Sequence, residues 1–145
     1  MEYISNSQEE TKKIAEKLCK FIFETRKNND KNIVICIVGE MGSGKTVFVK
    51  GIARYFGIPE ENVNSPSYTF INDYGKFYHL DLYKLYPVLD LDSIDFWSLL
   101  EENKPKVIEW ANDILKDLKL AQVDTYVIEI KRLKDEERKI TLKKL

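Results

Sequence analysis

Apolar residues at Ile14, Ala15, Leu18, Phe21 and Ile22 recur at three- and four-residue spacing and predict one face of a helix. Its start is marked by Ser7, with Glu10 three residues on, a capping box. Its end is expected in the loop cluster Asn28 to Asp30. Met1 to Ser5, ahead of it, reads as a short edge strand. The run Ile33 to Val38 is continuously apolar and mostly β-branched, the pattern of a strand buried on both faces of a parallel sheet. From Lys45 the helical period resumes, with Phe48, Val49, Ile52, Ala53 and Phe56 facing inward. Gly57 stands where a left-handed C-terminal residue belongs, and Pro59 follows.

The second half alternates faster. Tyr68 to Asn72 and "FYHLDL" predict a hairpin around the turn signal "NDYGK". "YPVLDLDS" is irregular, and Ser93 is placed to cap a short helix carrying Phe96, Trp97, Leu99 and Leu100. Lys106 to Trp110 is a short strand ending in a carboxylate, and Asn112 is placed to cap another short helix. "TYVIEI" and "KITLKKL", separated by "KRLKDEER", form an antiparallel pair. The fold class is therefore α/β: a mixed, mainly parallel sheet flanked by helices, with an antiparallel C-terminal hairpin. The chain has 145 residues, and no linker or repeat divides residues 1–145, so one domain is expected.

Charge changes the picture by subtraction. Lys+Arg is 23 and Asp+Glu 24, without the basic excess of a dedicated nucleic-acid binder. Cys19 and Cys36 match no metal or redox spacing and read as buried free thiols in a reducing compartment. With no secretory signal pattern and no apolar run of membrane-spanning length, a cytoplasmic protein without membrane partners is expected.

Three of the six glycines fall in Gly39-Glu40-Met41-Gly42-Ser43-Gly44-Lys45-Thr46, which matches G-x-x-x-x-G-K-[ST]. Wrapping a di- or triphosphate requires several backbone N–H groups and close approach without a Cβ in the way. The helix that follows points its unpaired N–H groups and positive dipole end at the anion. Lys45 adds a charge for the β- and γ-phosphates, and the Thr46 hydroxyl suits Mg²⁺. The flanking strand and helix separate this loop from a glycine-rich turn that binds nothing.

A P-loop enzyme usually needs an acid near the metal, at the end of a neighbouring strand. Asp81 ends "FYHLD" and Glu109 ends "KVIE", and spacing does not choose between them. His79, the single histidine, lies in an alternating strand, which favours a structural place over a general base. Trp110 suits base stacking, core or partner surface alike. Ser65, Ser67 and Thr69 make either a polar loop or a nucleotide-sensing switch. Lys131, Lys134, Lys143 and Lys144 read as a solvated face.

A guanine-reading N-K-x-D is missing, since "NKPK" at Asn103 lacks the acid. The arginines are Arg26, Arg54, Arg132 and Arg138, and none lies between Gly57 and Pro105, where a small-molecule kinase would place a phosphate-gripping lid. No arginine finger lies near the loop in sequence, so slow hydrolysis gated by a partner is expected.

"GEMGSGKT", "NSPSYTFINDY", "YHLDLYKL" and "VIEW" occur together in the order and approximate spacing of the TsaE family, which the chain resembles along nearly its whole length. The specific part is the combination of S-P-[ST]-[YF]-T, H-x-D-x-Y and E-W. The resemblance implies a single P-loop α/β domain that binds ATP and hydrolyses it slowly. It implies partnership with the two-protein threonylcarbamoyl-transfer machinery that makes N6-threonylcarbamoyladenosine in tRNA, with turnover resetting that machinery and tRNA touched only indirectly. By resemblance, ATP lies on Met41, Gly42, Ser43, Gly44, Lys45 and Thr46, with its adenine near Gln8. The resemblance also implies that Thr46 and Glu109 hold Mg²⁺, that Asp81 is a second acid near the site, and that Ser65 to Thr69 form a switch-like loop. Lys84 departs from the arginine common in the family, and "PVLDLDSIDFWSLL" matches only loosely. The rival readings are a small-molecule kinase and a nucleotide-dependent assembly module without essential turnover.

Overall fold

The computed structural model describes residues 1–26, 30–64, 71–83 and 95–145. The apolar run after Ile33 becomes β2 (Val34–Val38), buried at every position. Its neighbours are β5 (Lys106–Glu109) and β6 (Thr125–Lys134), both parallel to it, and β4 (Tyr78–Asp81) pairs parallel with β5. Antiparallel strands finish both edges. On one side β7 (Glu137–Lys144) pairs β6, and β1 (Glu2–Ser5) pairs β7; on the other, β3 (Ile71–Asp73) pairs β4. The order is β1-β7-β6-β2-β5-β4-β3.

Alternation along β2 feeds two cores. Ile35 and Ile37 pack beneath α1 (Gln8–Glu24) and α2 (Lys45–Tyr55), with Leu18, Ile22, Phe48 and Ile52. Val34, Cys36 and Val38 face the opposite layer, where α3 (Phe96–Leu100) and α4 (Leu115–Leu120) contribute Phe96, Leu100 and Leu118. Each fully buried Ile, Leu or Phe contributes roughly 1.5–3 kcal/mol over its exposed state, so both layers hold the central strands.

The capping box forms in a shifted version. Ser7 Oγ accepts from Glu10 N at 3.0 Å, while Glu10 Oε2 accepts from Asn6 N at 2.7 Å. α1 ends at Glu24, earlier than expected, because its apolar stripe runs out and Thr25 Oγ1 donates to the Phe21 carbonyl at 2.6 Å. α2 closes as expected: Gly57 N bonds Arg54 O and Ile58 N bonds Ala53 O, a Schellman pattern.

Three sequence expectations need correction. The residue at the N-cap position of α3 is Asp95, which makes no side-chain cap bond, and Ser93 lies outside the described residues. Asn112 is the first residue of a short 3-10 turn (Asn112–Ile114) rather than its cap, and the N-cap position falls to Ala111. "KRLKDEER" is mostly strand: β6 and β7 pair as far as Lys134 and Glu137, leaving two residues for the turn. The charged, exposed side chains there hid the pairing, which is made by backbone rather than by apolar contacts.

Candidate nucleotide site

The loop after β2 turns because Gly42 and Gly44 take positive φ, 79° and 109°. Only glycine adopts this readily. Gly44 is the N-cap of α2 and supplies no side-chain bond to it, so the first-turn N–H groups are left to face an anion. Ser43 is buried, and its Oγ has no hydrogen-bond partner among the described residues. Lys45 Nζ donates to the carbonyls of Gly39 and Glu40, at 2.7 and 2.9 Å, and lies 4.2 Å above the Trp110 ring.

The two candidate acids turn out to be neighbours. Parallel pairing of β4 with β5 puts Asp81 beside Glu109 at the C-terminal ends of both strands. Both carboxylates are buried. Burial pulls the Lys45 ammonium below the ordinary lysine range, and the charges of Glu109 and then Asp81 oppose that pull. A ligand site at the carboxyl ends of parallel strands is where open α/β sheets generally place one.

His79 points away from solvent. It is fully buried, with Nε2 2.5 Å from Glu109 Oε2, and its ring stacks on Tyr74 at 6.1 Å. Its geometry orients Glu109. Trp110, the residue after Glu109, has φ 59°, a left-handed conformation costly for a bulky residue. That bend turns its ring out of the strand to meet Lys45 and, at 4.7 Å, Tyr83.

These groups line a depression of about 420 Å³ that brings together Gln8, Met41, Gly42, Gly44, Lys45, Thr46, Asp81 and Glu109. Ser43 sits under the loop and lines a second depression on its other side. Ser65, Ser67 and Thr69 lie outside the described residues, as does Lys84. The site also contains residues that spacing did not reveal: Ser7 and Thr11 beside Gln8, Tyr83, and above all Arg138. Arg138 comes from β7 and donates from Nε to the Ser43 carbonyl at 2.8 Å. No arginine finger is legible near the loop in sequence, yet Arg138 touches the loop in space. Its one signal in the sequence is an arginine within a lysine-rich hairpin.

A family model described as "Threonylcarbamoyl adenosine biosynthesis protein TsaE" matches residues 5–140. The chain belongs to the TsaE family. The TsaE protein of Bacillus subtilis is 34% identical over 137 residues, 92% of this chain and 78% of that protein. That of Aquifex aeolicus is 37% identical over 100 residues, 66% of this chain and 68% of its own length. That of Rickettsia conorii is 33% identical over 117 residues, and the match spans 62% of its length. Each is named a tRNA threonylcarbamoyladenosine biosynthesis protein. Among solved structures, the crystal structure of YdiB from Bacillus subtilis aligns with a TM-score of 0.60 and 27% identity, over 98% of this chain and 83% of that one. The TsaE chain is thus a P-loop α/β protein. No helix among its described residues is long and apolar enough to cross a membrane.

Proposed function

We propose that this TsaE-family chain binds ATP with Mg²⁺, hydrolyses it slowly, and serves threonylcarbamoyladenosine formation in tRNA by acting on the threonylcarbamoyl-transfer proteins. The observation that carries the ATPase reading is the pairing of Asp81 with Glu109 on adjacent strands, opposite the P-loop lysine. The pathway comes from the family and from the names its relatives bear.

The donor set suits both groups. For phosphate there are uncapped helix amides, the buried Ser43 hydroxyl and Lys45. For Mg²⁺ there are hard oxygen donors, the Thr46 hydroxyl and the two carboxylates. No group of three or more acids, histidines or cysteines suited to a metal occurs among the described residues. That accords with Mg²⁺, which commonly takes one or two carboxylates and completes its shell with phosphate and water.

Lys45 and the loop amides stabilise charge that develops on the phosphoryl oxygens. The Thr46 hydroxyl with the carboxylates of Glu109 and Asp81 would hold Mg²⁺, which would supply neutralisation of phosphate charge. Glu109 is held in one orientation by His79, which prepares it to orient the attacking water or the metal without reorganisation. Asp81 is the second acid beside it. Trp110 and Tyr83 form an aromatic wall at the mouth.

The test is Lys45→Ala. Charge-assisted bonds of this kind contribute about 1.5–3 kcal/mol each. Affinity for Mg·ATP, measured by calorimetry, should fall at least tenfold; unchanged affinity and phosphate release would reject the reading. Pull-downs in ATP and in ADP should recover the threonylcarbamoyl-transfer proteins, and failure in both states would reject the pathway assignment.

A further inference from the structure

The C-terminal hairpin grips the P-loop at two points. At Gly39, an added Cβ would lie 2.6 Å from the Ile130 carbonyl of β6, so strand and loop are in backbone contact there. At Ser43, the carbonyl accepts from Arg138 Nε at 2.8 Å, across 95 residues of chain. The other side of the same guanidinium is also engaged: Nη1 donates to the carbonyls of Asp135 and Glu137, at 2.8 and 3.2 Å. Asp135 forms the hairpin turn with φ 44°. One rigid fork therefore ties the turn between β6 and β7 to the middle of the phosphate loop. Arginine is suited to this role: its planar donors hold several acceptors at once, whereas a lysine ammonium is a single flexible point.

We infer that Arg138 is a positioning residue that holds the P-loop in its nucleotide-ready conformation. The clamped atom is the reason. Ser43 lies between two glycines, both with positive φ, so its two peptide planes have the least steric restraint in the loop. In a trans peptide the C=O and the following N–H point in opposite directions. Fixing the Ser43 carbonyl on Arg138 therefore fixes the direction of the Gly44 N–H, at the N-cap of α2. Through this bond, the order of the hairpin turn becomes the order of an anion-facing amide. The hairpin, remote in sequence and free of catalytic acids, is thereby part of the nucleotide site.

The affinity consequence rests on the nucleotide-binding reading above; the loop-order consequence does not. Arg138→Ala and Arg138→Lys are compared with wild type in the full-length chain. Hydrogen exchange without nucleotide should show the amides of residues 42–46 exchanging at least tenfold faster in both variants, with β2 and β5 unchanged. Affinities for Mg·ADP and Mg·ATP should fall tenfold or more in Arg138→Ala, and by similar factors for both nucleotides. Arg138→Lys should recover little, because one ammonium cannot bridge the turn and the loop. Wild-type exchange in the loop of both variants would overturn the inference. So would full recovery by lysine, which would make charge alone the role, or a loss confined to ATP, which would make the residue a terminal-phosphate contact. Should Arg138→Ala fail to fold, Arg138→Lys still decides through exchange. If wild type binds neither nucleotide, the proposed function fails while the exchange result still tests the brace.

Discussion

Strand β5 is four residues long and buries an ionisable side chain at each end. Lys106 begins it and Glu109 ends it. At the starting end, the Lys106 ammonium donates to Asn32 Oδ1 at 2.6 Å and to the carbonyls of Leu100 and Glu102. Three donors meet three acceptors, and the lysine acts as a bolt tying the end of α3 to the sheet. At the finishing end, Glu109 meets His79 on one side and faces a depression, a second acid and Lys45. Lys45 is buried too, yet among the described residues its ammonium bonds only its own loop and an aromatic face. Burial of charge is common to both ends, so burial alone does not mark function. The difference is whether the partners close the group off or leave it directed at a cavity.

The strongest challenge to this contrast is Glu109→Gln. Phosphate release should drop about 10²–10³-fold, while Mg·ATP affinity stays within about threefold and the fold is retained. Single-turnover kinetics would check it, and full activity would move the decisive acid to Asp81.

The mirror experiment exchanges function for stability. Lys106→Ala should cost about 2–4 kcal/mol in urea unfolding, from the cavity and the orphaned carbonyls, with nucleotide affinity retained. Lys45→Ala should cost less than half as much stability and lose the affinity instead. Equal stability losses would erase the distinction between bolt and site.

A smaller effect concerns pH. Burial lowers the Lys106 ammonium to about 8, with the charges of Glu102 and Asp30 opposing the shift. Its unfolded value is about 10.4. Between these values the unfolded chain carries the proton and the folded chain does not, so unfolding free energy rises with pH there. The gain should be on the order of 2 kcal/mol from pH 8 to about 10.4, and it should be absent in Lys106→Met. A flat wild-type profile would mean that the three acceptors keep the ammonium charged.

The smallest expected signal lies in the core between the two ends. Cys36 sits mid-strand in β2 with its thiol pushed up by burial to about 12, and burial likewise raises the Cys19 thiol. Neither should react with a thiol reagent at pH 8 within the time that the denatured chain reacts fully. Prompt labelling would show that the sheet opens between its ends.

Legibility followed the range of the forces. β2, α2 and the P-loop were readable because each is encoded by adjacent residues: a β-branched run, a 3.6-residue period, and glycines where φ is positive. Asp81 and Glu109 were visible as strand ends, but not as partners. Their adjacency depends on the parallel register of β4 with β5, which no local pattern encodes. His79 read as structural; it is buried as such a residue would be, yet what it holds is Glu109. The full length of the hairpin strands is not legible in the sequence, because their exposed, charged ends pair through backbone alone.

The sequence by itself determined that this chain carries a phosphate loop between a buried strand and a helix, and that it resembles the TsaE family, because those signals are carried by contiguous motifs. Tertiary structure alone decided which acids face Lys45, which lysine is only a bolt, and that Arg138 reaches Ser43 across 95 residues. Those outcomes depend on strand order and register, which emerge only when the whole sheet pairs and both cores close.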